Sequence, residues 1–215
     1  MTYLADIFNE PISGEWGEET EGEGTKVIRT TNFTNSGKLD LSKGIALRSI
    51  SDKKVAEKRL QYGDVIIEKS GGSPAQPVGR VVFFDIEQAT WLCNNFTAVL
   101  RPKQEFHPRY CFYLMYCLHK CGAVLKYQNK TTGIINLKLN DYLKKTKVSP
   151  LPPLETQKKI AAVLDKAQEL IDKRTEQLAK MDEFVQSVFV EMFGDVVVNP
   201  KKWPVLKLAN VAEVV

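Results

Sequence analysis

The feature that most limits what this chain can fold into is an uninterrupted stretch near its end. Residues 154–193 contain neither Gly nor Pro, while Pro152-Pro153 precede the stretch and Gly194 follows it. Proline is favoured at the start of a helix and glycine just beyond its end. The composition therefore predicts a single long helix, of which the part from Ile160 to Met192 would extend roughly 50 Å at 1.5 Å per residue.

Apolar residues recur along this stretch in alternating steps of four and three residues. We call the recurring positions the seam: Ile160, Leu164, Ala167, Ile171, Arg174, Leu178, Met181, Val185, Val188 and Met192. A sustained period of 3.5 residues is typical of a coiled coil, so the seam predicts pairing with another helix. The alternative is an ordinary amphipathic helix that covers its own domain. Arg174, the one polar seam residue, either fixes the register of pairing or extends its charge to solvent.

The charges are distributed unevenly along the chain. Residues 1–25 hold seven acidic and no basic residues, whereas residues 26–154 hold 21 Lys and Arg against 9 Asp and Glu, a surplus of +12. Residues 155–195 hold six basic against nine acidic residues. A concentrated basic surplus is typical of proteins that bind a phosphate backbone, although a basic surface can also serve solubility alone.

The segment before the long stretch combines short strands with helices. Runs rich in β-branched and aromatic residues predict strands at 26–30, 45–50, 64–70, 79–85 and 96–101. Residues 107–127 predict a helix, residues 128–142 a loop, and residues 146–152 a short strand. We therefore predict an α+β fold, in which a globular domain of short strands and helices is followed by a long coiled-coil helix.

The sequence contains no familiar catalytic motif, and its cysteines do not indicate an enzyme. Cys111, Cys117 and Cys121 lie close to His107 and His119, which raises the alternative of a zinc site, but the segment is predicted to form one helix with Cys117 and Cys121 one turn apart on its face. Buried, reduced cysteines are the preferred interpretation. The chain has no phosphate-binding loop of the Walker type, no HExxH and no GxSxG motif. We expect no catalytic residue, no metal and no cofactor of its own.

Three polar stretches are candidates for contact with DNA: residues 29–32, residues 68–79, which are predicted to form a turn between two strands, and residues 128–133. Lys and Arg can read guanine edges, Gln and Asn can read adenine edges, and Ser and Thr can contact bases or phosphates. The alternative for each stretch is an ordinary solvated loop. The candidate DNA-binding residues are Arg29, Thr31, Asn32, Lys69, Ser70, Ser73, Gln76, Arg80, Asn129, Lys130, Thr131 and Thr132.

Several motifs resemble the specificity subunit of Type I restriction–modification enzymes. The run Leu151–Ile160, LPPLETQKKI, is similar to the start of the conserved helical region of that family. The segment after the helix, with Met192–Asp195 and Trp203–Leu208, is similar to the opening of the next recognition domain. Within the domain, Gly63–Ile67 and Val78–Val81 are also similar to the family pattern.

The resemblance implies a subunit that recognises DNA without catalysing a reaction. Its expected organisation is a target-recognition domain over 1–150, a coiled-coil spacer helix over 151–194, and the start of a second recognition repeat or a tail over 195–215. Expected partners are double-stranded DNA, methyltransferase subunits that bind AdoMet, and endonuclease subunits. With no candidate membrane span or secretion signal in the sequence, we expect a cytoplasmic protein.

Family members usually hold two recognition domains and two long helices, and this chain departs from that pattern. It is interpreted either as a truncated piece or as a half-length subunit, and a half-length subunit would pair antiparallel with a second copy through the seam. Two alternatives stay open. One is a recognition domain separated from a fused restriction–methylation enzyme, and the other is a coiled-coil protein adaptor without DNA binding.

Overall fold

The computed structural model describes residues 2–20, 22–73, 76–131, 134–148 and 150–207, without the side chains of Lys130 and Thr131. The helices are α1 (Leu4–Ile7), α2 (Asp52–Lys58), α3 (Pro108–Lys120), α4 (Leu139–Lys145) and α5 (Leu154–Phe193). The strands are β1 (Thr2–Tyr3), β2 (Ile12–Ser13), β3 (Glu18–Glu19), β4 (Thr25–Ile28), β5 (Ala46–Ser49), β6 (Val65–Glu68), β7 (Ser70–Gly72), β8 (Val81–Phe83), β9 (Trp91–Cys93), β10 (Thr97–Leu100), β11 (Gln128–Thr131), β12 (Ile134–Leu137) and β13 (Lys147–Val148). Single 3-10 turns cover Thr30–Asn32, Leu41–Lys43 and Leu125–Tyr127.

An antiparallel sheet with strand order β2-β10-β6-β8 divides the hydrophobic core into two clusters. Val65 and Ile67 of β6 belong to one buried cluster, and Ile66 belongs to the other. Successive side chains of a strand point to opposite faces. This explains why β6 is apolar at successive positions: both of its faces are covered.

The other described strands form smaller sheets around this one. The order β3-β5-β4-β9 is antiparallel except for the parallel pair β4–β9, and the order β11-β12-β7 is antiparallel. Strand β1 pairs with β13, so that Thr2 lies opposite Val148.

Short helices cover the first core cluster. Leu4 and Ile7 of α1, Phe112 and Met115 of α3, and Tyr142 of α4 are all buried in it. Helix α3 ends at Lys120 instead of reaching residue 127, because Gly122 adopts a left-handed conformation with φ of 73° that terminates a helix.

The α+β fold class predicted from the sequence is confirmed. The strands predicted between residues 26 and 101 are present as β4, β5, β6, β8 and β10. Two predictions were wrong in detail. Residues 128–142, predicted as a loop, form the hairpin β11–β12 and begin α4, and the predicted turn at 68–79 contains strand β7. Both differences arise because β7 and β12 pair with each other over a long sequence separation.

The chain forms two compact units, residues 1–164 and residues 165–215. The predicted long helix is confirmed as α5, whose first turns belong to the first unit, with Gln157 and Ala161 buried there. In the second unit, α5 ends at Phe193, and the following Gly194 has a φ of 81°. Lys201 Nζ donates to the carbonyl oxygens of Glu191 and Met192 at 2.6 Å, which satisfies acceptors that a helix end leaves open.

Within the described ranges, no helix is both long enough and apolar enough for a bilayer crossing.

Candidate nucleic-acid interface

A concave surface lies where strand β6 ends and the chain turns towards β7. It encloses a volume of about 520 Å³. Its described lining residues come from the 3-10 turn and the loop after β4, from β6 and β7, and from the loop before β8: Thr30, Thr31, Phe33, Thr34, Asn35, Lys43, Glu68, Gly71, Gly72, Gln76 and Arg80. We refer to this surface as the polar cleft. It brings together two of the three stretches predicted from the sequence.

The floor of the polar cleft is an ion pair between Arg80 and Glu68. Arg80 Nε and Nη2 contact the two carboxylate oxygens of Glu68 at 2.8 and 2.9 Å, and the side chain of Glu68 is 3% exposed. Arg80 also donates to the carbonyl of Thr30 at 3.4 Å and lies over the ring of Phe33. The guanidinium of Arg80 therefore ties the 29–33 segment to the central sheet.

Asn32 holds the shape of one rim of the polar cleft from inside the fold. It is fully buried, accepts the Arg29 backbone N–H at 2.9 Å, and donates to the carbonyls of Asp40 and Gly44 at 3.1 Å. An Asn amide has two N–H donors, and both are used here. Arg29 also donates to the carbonyl of Gly44. Of these predicted contacts, Asn32 is enclosed by protein, whereas Thr31 next to it is exposed.

The opposite rim is a tight turn that presents Gln76. Ser73 and Gln76 exchange backbone hydrogen bonds of 2.9 and 3.0 Å, and Ser73 Oγ accepts the Gln76 N–H at 3.1 Å. Both side chains are exposed. The turn packs closely against Gly72, where a side chain has no room because a Cβ atom would lie 2.8 Å from the carbonyl oxygen of Gln76.

Lys69 lies beside the polar cleft but contacts another element. Its Nζ donates to Ser13 Oγ of β2. Burial lowers the pKa of Lys69, the neighbouring Cys93 acts in the opposite direction, and Lys58 adds a smaller lowering effect. Lys69 is thus a partly buried cation that links β2 to the end of β6.

A row of polar side chains crosses the sheet β7-β12-β11. The hydroxyl of Ser70 donates to Asn136 Oδ1 at 2.5 Å, and Asn136 is the register partner of Asn129. Residues directly opposite each other in a sheet share a face. Ser70, Asn136 and Asn129 therefore form one polar row, of which Asn129 is exposed. Sequence reasoning proposed Ser70 and Asn129 but did not propose Asn136 as a site residue.

The remaining predicted residues of the third stretch belong to the hairpin β11–β12. The backbones of Lys130 and Thr131 pair with Ile135 and Ile134. Thr132 was also predicted as a DNA contact, and it lies outside the described residues.

The acidic N-terminal residues lie against basic residues on another part of the domain. Glu15 contacts Lys58 at 2.8 Å and Lys54 at 3.3 Å, both of α2, and Glu19 contacts Arg48 of β5 at 3.2 Å. Its hydrogen bond with Lys58 lowers the pKa of Glu15, against a smaller opposing effect of burial. Part of the basic surplus is thus neutralised at α2 and β5.

The cysteines differ from the prediction at two positions. Cys93 and Cys111 are buried, and burial raises their pKa values to about 11 and about 12. Cys117 and Cys121 are exposed rather than buried, with their sulfur atoms 3.9 Å apart, because they lie on the outer face of α3 and at its C-cap. The described residues contain no group of three or more His, Cys, Asp or Glu that could hold a metal ion.

The seam of α5 is largely open to solvent in the single chain. Ile171, Leu178, Met181, Val185 and Met192 are each more than half exposed. Ile160 and Leu164 are less exposed, and Val188 is half-buried. Arg174 Nη1 donates to Gln177 Oε1 at 3.3 Å within the same helix.

Two curated proteins are similar to this chain over much of its length. One is a type I restriction enzyme specificity subunit, MjaX, of Methanocaldococcus jannaschii, with 26% identity over 221 residues, covering 96% of this chain and 51% of that protein. The other is the type I restriction enzyme specificity subunit S.HindORF215P of Haemophilus influenzae, with 31% identity over 162 residues, covering 70% of this chain and 37% of that protein. The chain thus spans about half the length of the first relative and less of the second.

Two solved structures share the fold. A chain from a structure on complex assembly and conformational transition of the type I R-M system has a TM-score of 0.59 and 22% identity, covering 87% of this chain and 42% of that one. The HsdS subunit from Thermoanaerobacter tengcongensis has a TM-score of 0.56 and 20% identity, covering 90% of this chain and 44% of that one.

The family model described as the Type I restriction modification DNA specificity domain matches residues 4–180, from α1 through more than half of α5. This match covers most of the chain, including the polar cleft and the start of the seam, and on that basis the chain belongs to the family of Type I restriction–modification specificity proteins.

Proposed function

We propose that this chain is a non-catalytic subunit that recognises one half of a bipartite DNA site in a Type I restriction–modification system. The observation that carries the proposal is the polar cleft, which brings Thr31 and Gln76 to the rims of one concavity, in a part of the chain, residues 26–154, with a +12 surplus of charge. Family membership supports it. The organisation that we propose is a recognition domain over 1–150, a spacer helix over 151–194 and a following segment over 195–215.

The residues of the polar cleft divide into those that contact DNA and those that hold the contacts in place. Thr31, Ser73 and Gln76 are exposed side chains on two rims, and Asn129 is exposed at the end of the polar row. Amide side chains can pair with adenine edges, and hydroxyls can contact bases or phosphates. Lys130, Thr131 and Thr132 stay proposed contacts by their place in the adjacent hairpin.

Four of the predicted contact residues fit a positioning role better. Arg29, Asn32 and Arg80 use their polar groups on neighbouring backbone or on Glu68, and Lys69 uses its ammonium on Ser13. Such residues shape the loops without needing to touch a base. We propose that they set the geometry of Thr31 and Gln76.

We further propose that two copies of the helix α5 pair antiparallel through the seam. In that arrangement the ten positions complement themselves about a two-fold axis near residue 176. The layers would be Ile160 with Met192, Leu164 with Val188, Ala167 with Val185, Ile171 with Met181, and Arg174 with Leu178 of the partner copy. The exposed Leu170 would then lie near Phe184 of the partner copy, so that two apolar residues flanking the seam would also be covered.

Pairing would hold two equivalent domains roughly 50 Å apart, about one and a half turns of DNA. The preferred site would then be an interrupted palindrome. The proposed partners are methyltransferase subunits, which would bring AdoMet, and endonuclease subunits. This chain would contribute no cofactor and would work in the cytoplasm, where its DNA is.

Mapping of methylated adenines across the genome, in cells with and without this chain, tests the proposal. We expect one sequence motif to lose its methylation when the chain is absent, and the motif to be palindromic if two copies act together. An unchanged methylation map, in cells that contain active methyltransferase subunits, would contradict the proposed function. A non-palindromic motif from a complex built only with this chain would contradict the paired arrangement alone.

A further inference from the structure

An exposed aromatic residue lies next to the polar cleft and has no part in the hydrophobic core. Phe96 is 42% exposed and lies in the turn between β9 and β10. Its neighbours in the sheet, Thr97 and Ala98, are buried. Large apolar side chains on a surface are common singly, so exposure alone assigns no role to Phe96.

The backbone around Phe96 is held by several hydrogen bonds. The N–H and the hydroxyl of Thr97 both donate to the carbonyl of Asn94, at 3.0 and 2.8 Å. The carbonyl of Phe96 accepts the N–H groups of Lys69 and Ser70, at 2.8 and 3.2 Å. The ring is therefore presented by a fixed turn, which lowers the entropy that a contact made by this ring would cost.

Those same hydrogen bonds join Phe96 to the polar row. From the 69–70 segment, Ser70 bonds to Asn136, which lies opposite Asn129. Phe96 is thus connected to Asn129 through three hydrogen-bonded steps, from Phe96 to the 69–70 segment, then to Asn136 and then to Asn129. An exposed aromatic side chain and an exposed amide stand at the two ends of this connection.

We propose that Phe96 is a DNA contact that packs its ring against apolar base edges, while Asn129 at the other end of this connection makes a polar contact. The inference rests on the proposed DNA-recognition function. In a duplex, an aromatic ring can pack against the thymine methyl group or wedge between base steps, whereas it gains little from phosphates. Phe96 therefore contributes affinity that does not depend on released counterions.

The salt dependence of binding distinguishes this contact from a phosphate contact. The full chain, assembled with its methyltransferase subunits, is measured by fluorescence anisotropy on a duplex that carries the motif mapped by methylation. Phe96→Ala is expected to weaken binding about tenfold or more, with an unchanged slope of log affinity against log salt. Phe96→Trp should restore most of the affinity. Lys43→Ala, at the rim of the polar cleft, should instead reduce the slope by about one.

Leu47→Ala is the matched control, because Leu47 is 44% exposed and lies on the separate sheet β3-β5-β4-β9. It should leave affinity unchanged, and thermal melting should show that all variants remain folded. Unchanged DNA affinity in Phe96→Ala, or a changed salt slope, would overturn the assignment of Phe96. Loss of assembly with the methyltransferase at unchanged DNA affinity would also overturn it, since Phe96 would then be a protein contact. A wild-type complex that binds no duplex would instead refute the DNA-recognition function itself.

Discussion

The side chain of Gln157 joins the first turn of helix α5 to the start of helix α3 at His107. Gln157 Oε1 accepts the His107 backbone N–H at 3.0 Å, and Gln157 Nε2 donates to the carbonyl of Pro152 at 2.9 Å. Only 2% of the Gln157 surface is exposed. The N–H groups at a helix start have no partner within their helix, and Gln157 supplies one. This explains why a buried glutamine is tolerated in the Glu-Thr-Gln run that opens the helix.

Replacement of Gln157 by leucine should destabilise the globular part. The variant would leave a donor at His107 and an acceptor at Pro152 unpaired in a buried place, which costs about 1–3 kcal/mol. Denaturant unfolding followed by circular dichroism measures the change. Gln186→Leu, on an exposed part of the same helix, is the control and should change stability by less than about 0.5 kcal/mol. Equal losses in the two variants would show that the Gln157 hydrogen bonds carry no special weight.

The ion pair beneath the polar cleft should contribute more to the free energy of unfolding than the exposed ion pairs on α5. Glu68→Gln leaves the Arg80 guanidinium without its charged partner, at a cost of about 3 kcal/mol for a buried pair. Glu169→Gln removes a partner of Lys173 from a pair in which both side chains are more than half exposed, and should change the free energy of unfolding little because solvent screens the pair. Unfolding free energies of both variants provide the comparison, and a cost at Glu68 no larger than that at Glu169 would count against the bracing role.

Gln76→Ala should weaken the preference for one DNA sequence, whereas the stability of the fold should not change. Loss of an amide contact to a base edge costs about 1–3 kcal/mol for the preferred base and little for other bases. Binding of the assembled complex to a panel of duplexes, each with one base pair changed, reveals the affected position. Gln61→Ala, an exposed glutamine that does not line the polar cleft, is the control. A uniform loss of affinity across the panel would indicate that Gln76 reads no base.

Ile171→Glu should separate the proposed pair of α5 helices. The proposed dimer would bury the seam, where a carboxylate would lack a partner. We therefore expect the dimer to weaken by at least about tenfold. Lys166→Glu, on the solvent side of the same helix, should leave the oligomeric state unchanged. Sedimentation velocity over a concentration series measures both. A wild-type chain that stays monomeric at tens of micromolar would already contradict the pairing.

The four cysteines should differ in their reaction with alkylating reagents. At about pH 8, exposed Cys117 and Cys121 should be labelled in the native protein, whereas Cys93 and Cys111 should react only after unfolding. Burial raises the pKa values of Cys93 and Cys111 to about 11 and about 12, so the unfolded chain ionises these thiols first as the pH rises. Their contribution to stability is complete below the ordinary thiol pKa and is lost above it. Mass spectrometry after timed labelling detects the order of reaction, and early labelling of Cys111 would contradict the burial.

The long helix was predictable because its signals are local. The period of the seam and the positions of Pro153 and Gly194 all lie within α5 or beside it. The hairpin β11–β12 was not predictable, since Gln128–Thr131 lacks the apolar alternation of a strand and β12 pairs with the distant strand β7. Asn136 was missed as a site residue for the same reason: its partner Ser70 lies 66 residues away in the sequence.

Polar composition identified Thr31 and Gln76 as candidates but could not distinguish them from Asn32 and Arg80. That distinction depends on burial and on hydrogen-bond partners, which arise only when β6 and β8 pair and bring Arg80 to Glu68. A sequence can indicate that a loop is polar. Whether a polar group is available to a ligand or is already used by the fold depends on contacts that are distant along the chain.

The pairing of β1 with β13 places Thr2 opposite Val148, so the strand that begins the globular part lies beside the strand that leaves it. A domain whose first and last strands are neighbours interrupts a longer polypeptide at almost a single point. Such a module can be inserted, duplicated or exchanged between chains with little disturbance to the segments on either side. New binding properties could then be acquired by replacement of the whole domain, without gradual change of each loop.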